Sequence, residues 1–354
     1  TSNQHSMLSR KLSILACAGL LSGAAHAQLP RIILQSGSTP QVFTTVGEAL
    51  TAAQSNDKLY FSGGTFVEAA GFIIDKPLHF IGAGIHPDSA NVTGMTTLST
   101  DLSTNITITT AASGSTFTGI IFDPSGDVQY GTSAADDDPK DLIFQRCAFE
   151  DPFYMGFAEG ASGSASFDEC IFRDQVQGRA SNAVITNSIL YGAILNIFRP
   201  SGLILRNSIV LDANLQNSGN AIVQNCVFTQ SSAPFYQVFG VQISNCLITS
   251  PVLFSNSGTT NQESNNIFGQ AAGSIFVNET DGNYSFDDDL HLAPSSLGVG
   301  AGNDGRDIGI YGSGSPYKEG ALPYKPHYRA ADIGGATNGS GELPVNIRMA
   351  AQPQ

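Results

Sequence analysis

Seven segments of this chain repeat one eight-residue pattern, and that periodicity limits the folds open to it more than any other feature. The segments are 142–149, 165–172, 183–190, 203–210, 221–228, 241–248 and a degenerate 261–268, with starts separated by 23, 18, 20, 18, 20 and 20 residues. In the first six the third position is apolar (Phe144, Phe167, Ile185, Leu205, Val223, Ile243) and the eighth is apolar (Phe149, Phe172, Leu190, Val210, Phe228, Ile248). The sixth is Cys or Ser. Alternation on either side of a polar corner predicts two short strands meeting at a tight bend. Asparagine occupies that corner at Asn187, Asn207, Asn225, Asn245 and Asn265. It tolerates left-handed backbone and can hydrogen-bond its own main chain. A period near twenty is one turn of a solenoid, in which each turn buries its apolar side only against its neighbours. Stacking would pile the five asparagines into a ladder of side-chain amides.

The flanking sequence agrees. Thr45-Val-Gly-Glu48 is a capping box, and Val46, Leu50 and Ala53 share one helical face, which predicts a short capping helix to about Ala53. Residues 57–66, 73–84 and 96–123 read as the first rungs, the helix closing an otherwise open apolar end. Beyond about residue 270 the repeat decays. Residues 290–312 read as a closing segment and 313–354 as an irregular wrap, with a last strand over 343–348.

These features resemble the right-handed parallel β-helix of the pectin-lyase-like superfamily, in its exported bacterial form. The irregular rung lengths, the β-branched content, the Asn corner and the Gly-Gly-Thr-Phe66 turn near the start carry the resemblance, over roughly residues 41–312. It implies an all-β, single-stranded right-handed β-helix with a short N-terminal capping α-helix. In that fold the strand after the Asn corner leads into loops beside a groove. A leucine-rich repeat also carries an Asn ladder, but its Leu framework is missing here. The resemblance specifies fold far more than activity, because this architecture serves many functions. No Arg-Pro-x-x-Arg segment of the pectate-lyase kind occurs, Arg199-Pro200 being a fragment of one, and the separated Asp motifs of polygalacturonases are not recognisable. Nor is there a Ser-His-Asp arrangement, a phosphate loop or a dinucleotide fingerprint.

Residues 1–27 read as upstream sequence plus a secretory signal peptide: Arg10-Lys11, an apolar stretch over 12–25, and Ala25-His26-Ala27 before Gln28. The expected location is therefore exported: periplasmic, cell-surface or extracellular. The β-helix is expected over 28–312. Net charge is −14, and cleavage after Ala27 removes two cations and no acid, giving −14 − 2 = −16. That balance repels nucleic acid. No run after the leader is long and apolar enough to span a bilayer. Four cysteines remain, Cys147 with Cys170 and Cys226 with Cys246 in the sixth repeat position. They form either an inward stack of small residues with Ser188 and Ser208, or disulfides across adjacent rungs.

The strand exits carry the candidate chemistry. Asp151 and Asp174, one rung apart, suit a shared Ca²⁺ ion as a cofactor, or a pair of acids. The bland alternative is that both end strands and start turns. The resemblance places the following strand on the groove, with Tyr154, Asn196, Gln216 and Tyr236 as substrate-binding candidates and Met155, Phe157, Gln177 and Gln237 beside them. Arg179 and Arg199 also stand one rung apart. With Asp174 they are the catalytic candidates, the arginines clamping a sugar carboxylate or assisting proton abstraction, or else neutralising nearby acids. The acidic runs 136–138 and 287–289 offer oxygen ligands or, more simply, solvated loops. The expected function is binding or processing of extracellular polysaccharide or cell-surface glycan, with polyuronate β-elimination as the lyase form and glycoside hydrolysis beside it. The alternative is a non-catalytic surface or matrix scaffold or adhesin.

Overall fold

A computed structural model describes residues 30–87, 94–192, 194–198, 202–279, 281–318, 327–333, 337 and 339–350. The predicted leader lies outside them. Within them the chain winds into a parallel β-solenoid of about ten turns with very little helix. Successive turns contribute strands to three sheets, I, II and III, of 12, 10 and 9 strands, sheet I being extended by two antiparallel N-terminal strands and the last turn adding none to sheet III. The turn from Leu142 shows the plan: Leu142–Gln145 in sheet I, Ala148–Phe149 in sheet II, Phe153–Tyr154 in sheet III, then Ser164–Asp168 back in sheet I. Successive turns pair in parallel register, Phe144 against Phe167, then Ile185, Leu205, Val223 and Ile243. The repeat is thus the sheet I strand, its corner and the sheet II strand.

Identical side chains in register stack on one another. The rings of Phe80, Phe117, Phe144 and Phe167 lie nearly parallel with centroids 4.8, 4.7 and 4.9 Å apart, and Phe122, Phe149 and Phe172 stack at 5.1 and 5.0 Å. These distances match the spacing of paired strands, so backbone pairing and ring stacking impose the same repeat.

The first corner depends on left-handed backbone. Asn187, Asn207, Asn225, Asn245 and Asn265 have φ between 47° and 56°, as do Arg146 and Glu169 in the two preceding turns. The stacked asparagines use their side chains as hydrogen-bonding groups. Asn187 Nδ2 donates to Asp168 Oδ1 (2.9 Å), Asn225 Nδ2 to Asn303 Oδ1 (2.8 Å) and Asn245 Nδ2 to the Ala301 carbonyl (3.4 Å). Arg146 and Glu169 form a buried ion pair, Nε to Oε2 at 3.1 Å.

The residue after the corner explains the Cys and Ser column. Cys170 N–H donates to Ser188 Oγ in the next turn (3.0 Å), Ser188 N–H to Ser208 Oγ (3.2 Å), Cys226 N–H to Cys246 Sγ (3.5 Å) and Cys246 N–H to Asn266 Oδ1 (3.0 Å). The Ser hydroxyls and Cys thiols in turn donate to the carbonyl two residues back, as Ser188 does to Thr186 and Cys226 to Gln224. A small side chain that both accepts and donates satisfies main-chain groups that the bend removes from the strand ladder. The four cysteines are free thiols buried in this column.

A second left-handed column follows sheet III: Ile197, Asn217, Gln237 and Asn256, with φ of 53°, 47°, 52° and 50°. Ser218 and Ser257 repeat the relay there, accepting from Phe198 N–H and Val238 N–H. Asn217 Nδ2 also bonds Asn196 Oδ1 one turn away at 3.1 Å.

The N-terminal end is closed as the sequence predicts. Helix α1 (Val46–Ala52) is capped by Thr45, whose side chain accepts from Glu48 N–H, and buries Val46, Ala49 and Leu50. Glu68 accepts from Val46 and Gly47 N–H at its positive end, while Lys76 Nζ donates to the Leu50 and Ala53 carbonyls at its negative end. Strand Ile32–Ser36 pairs antiparallel with both Thr39–Phe43 and Lys58–Phe61, covering the edge of sheet I.

The segment after residue 270 packs outside sheet II. The outward residues Ala148, Ile171, Ile189, Ile209, Val227 and Leu247 are buried under Ile275, Phe276, Tyr284, Leu290, Ile308, Ile310 and Tyr317. Farther on, Val345–Ala350 forms an antiparallel pair with His327–Ile333, and Val345, Ile347 and Met349 are exposed.

Two substitutions test the corners. Ser188→Ala leaves the buried Cys170 N–H without its acceptor and is expected to destabilise by about 1–3 kcal/mol in urea unfolding, with Ser188→Cys closer to wild type. Ile197→Asn relieves a β-branched residue of left-handed backbone and is expected to stabilise by about 1 kcal/mol in the same measurement.

Candidate functional site

Sheet II is covered by the chain itself, whereas sheet III carries a continuous file of polar and aromatic side chains. Register pairs Gln129 with Tyr154, then Gln177, Asn196, Gln216, Tyr236 and Ser255, one from each turn. All are partly exposed, while their strand neighbours Val128, Phe153, Val176, Leu195, Leu215 and Phe235 are buried. The structure therefore aligns the four sequence-predicted groove residues, Tyr154, Asn196, Gln216 and Tyr236, in one file with Gln177 among them. Period-two alternation produces the arrangement: the apolar member of each short strand points in, so the polar member points out.

Local contacts fix part of the file. Gln177 Nε2 donates to Gln175 Oε1 (3.0 Å), and Gln175 Nε2 donates to the Tyr154 hydroxyl (3.1 Å). The Arg179 guanidinium lies 5.5 Å from the Tyr154 ring centroid, within cation–π range, and its Nε is buried without an acceptor. Arg199 lies outside the described residues.

The corner from sheet II into sheet III gathers carboxyl groups at one end of this file. Asp151 and Asp174 each stand two residues beyond the paired Phe149 and Phe172, on adjacent turns as predicted. Asp123, Asp127 and Glu150 join them. Burial pushes Asp151 up to about 6, helped by repulsion from Asp123, Asp174, Glu150 and Asp127. Its Oδ2 is buried without a hydrogen-bond partner. Asp123 and Asp127 are also raised, chiefly by desolvation. Glu150 is raised by burial even though Arg173 Nη1 sits 3.0 Å from its Oε2. Arg173 also lies over Tyr191, 5.4 Å from the ring centroid. Asp123, Asp127 and Glu150 are not among the candidates the sequence singles out. Their signal was the register itself, which stacks the exits of three consecutive turns.

Among the described residues no group of three or more His, Cys, Asp and Glu side chains is arranged to hold a metal ion. The acidic runs serve as turn pins. Asp136 accepts from Thr132 and Ser133 N–H, Asp137 from Phe157 and Ala158 N–H, Asp138 from Ser162 N–H, and Asp288 from Ser285 N–H. A separate depression of about 630 Å³ beside α1, lined by Leu50, Ile73, Lys76, Thr104 and Asn105, contains none of the predicted site residues.

The fold and this face define a parallel β-solenoid with one polar, partly aromatic sheet open to solvent and an acidic corner at its edge. Neither a protein-family model nor a curated protein matches the chain.

The acidic corner makes a pH prediction. A carboxyl whose folded pKa lies above its unfolded value stabilises the fold below the unfolded value, near 4, and that contribution is lost as pH rises through about 6. Asp151→Asn is therefore expected to be more stable than wild type near neutrality, the difference closing as pH falls toward about 4 in thermal melts.

Proposed function

We propose that this chain is an exported β-helix protein of the pectin-lyase-like type that binds extracellular polysaccharide along sheet III and cleaves it at the acidic corner. The carrying observation is the in-register file from Tyr154 to Tyr236, which ends beside a cluster of carboxyl groups where burial and repulsion push Asp151 up to about 6. Amides and phenols at one-rung spacing suit the hydroxyl groups of an extended sugar chain, and aromatic rings suit the apolar faces of pyranoses.

Two carboxyl groups with different roles support hydrolysis. Asp151, whose pKa burial and acidic neighbours raise to about 6, is protonated below that pH and acts there as general acid toward the glycosidic oxygen. Asp174 on the next turn acts as the base, taking a proton from water or bonding the anomeric carbon. A polyuronate lyase fits this face less well. Five carboxyl groups oppose a polyanionic chain, Arg173 is engaged with Glu150, and Arg179 lies against Tyr154. Arginine-assisted β-elimination would draw on Arg179 alone among the described arginines at this edge.

The test is a panel of neutral and acidic polysaccharides, followed by release of reducing ends and by ultraviolet absorbance of unsaturated uronates. Reducing ends from a neutral glycan are expected, with activity declining as pH rises above about 6 and lost in Asp151→Asn. Unsaturated products would favour the lyase instead. A protein that neither binds nor cleaves any member of the panel is the scaffold or adhesin, and the proposal falls.

A further inference from the structure

Resting on that reading, we infer that sheet III is a binding track of fixed length, which grips an extended, unbranched oligosaccharide of about five units by an aromatic pair at each end. The file runs Tyr154, Gln177, Asn196, Gln216, Tyr236, one residue per turn. Four rung steps at about 4.8 Å make roughly 19 Å. An extended pyranose chain advances by about one such step per sugar, so each unit meets one outward side chain.

The ends differ from the middle in one repeated feature. Tyr154 is followed three residues later by Phe157, and Tyr236 three residues later by Phe239, with 51% and 39% of these Phe residues exposed. The same offset from Gln177 and Gln216 gives Ala180 and Gly219. One turn beyond either end, from Gln129 and Ser255, it gives Thr132 and Gly258. The Tyr-x-x-Phe pair therefore occurs at the two termini of the file and stops there. Amides alone occupy the outward positions between.

Both aromatic ends are held in place. Arg179 backs the Tyr154 ring, and Phe157 N–H is fixed to Asp137. The Phe239 ring lies on Gly219, where any side chain would collide with it, and its backbone bridges Gly219 in parallel. Glycine at 219 is what leaves room for the ring against the turn below. Preorganised aromatic surface lowers the entropic cost of gripping a flexible chain.

The measurement is affinity against chain length, using cello-, xylo-, manno- and chito-oligosaccharide ladders from dimer to octamer. Affinity is expected to climb to about the pentamer and then level. Phe157→Ala and Phe239→Ala are each expected to weaken the pentamer by about tenfold and move the plateau to shorter chains. Both residues are substantially exposed, and thermal melts verify that the variants fold. A dimer bound as tightly as the pentamer, or affinity still rising at the octamer, overturns the track while leaving glycan binding intact. Failure of every ladder, together with the polysaccharide panel, overturns the underlying reading as well.

Discussion

Each turn of this solenoid must bend sharply without orphaning the main-chain groups at the bend. Strand pairing serves the flat stretches; the corners need something else. The chain meets that need with a left-handed residue followed by a small side chain that accepts from the turn on one side and donates to the carbonyl two residues back. Ser188 shows the whole device, taking the Cys170 N–H and giving its proton to Thr186. Bends satisfied in this way help to keep the sheets in register. Register is what stacks the phenylalanines inside and aligns the amides outside.

The candidate site is a by-product of that regularity with one interruption. From Ala148 to Leu247 sheet II is apolar on both sides, as where strand Ala148–Phe149 puts Phe149 inward and Ala148 outward, and the later chain covers the outer side. Sheet III alternates apolar with polar, so it needs no cover. The acidic edge arises where the two sheets meet and consecutive turns exit with Asp or Glu. There Asp151 shares a partly desolvated corner with four other acids, and proton binding relieves the repulsion.

Much of the fold was legible because its determinants are local. Asn at a corner, an apolar residue two positions before it and another three after are properties of a single turn, and repetition made them conspicuous. The capping helix was equally readable from Thr45 and Glu48. The second left-handed column was not, because Ile197 and Gln237 do not advertise positive φ as Asn217 does. The outer layer on sheet II was written in the seventh repeat position, where Ala148, Ile171, Ile189 and Val227 are apolar beside an apolar eighth. That pairing is meaningful only once both are known to lie in one flat strand. For the site, the file from Tyr154 to Tyr236 followed from counting rungs. The raised Asp151 did not, because it depends on burial and on acids brought together from three turns.

The segment that covers sheet II also changes how the whole molecule comes apart. Asn303 and Gly309 are bonded to Asn225, the Ala301 carbonyl to Asn245, and the main chain at Lys318 to Glu169, several turns earlier. A bare stack of turns interacts only with nearest neighbours and can peel from either end. Here the tail runs back along the stack like a clasp. The last turns cannot fray without also releasing the middle ones, so a one-dimensional array is made to melt as a single body.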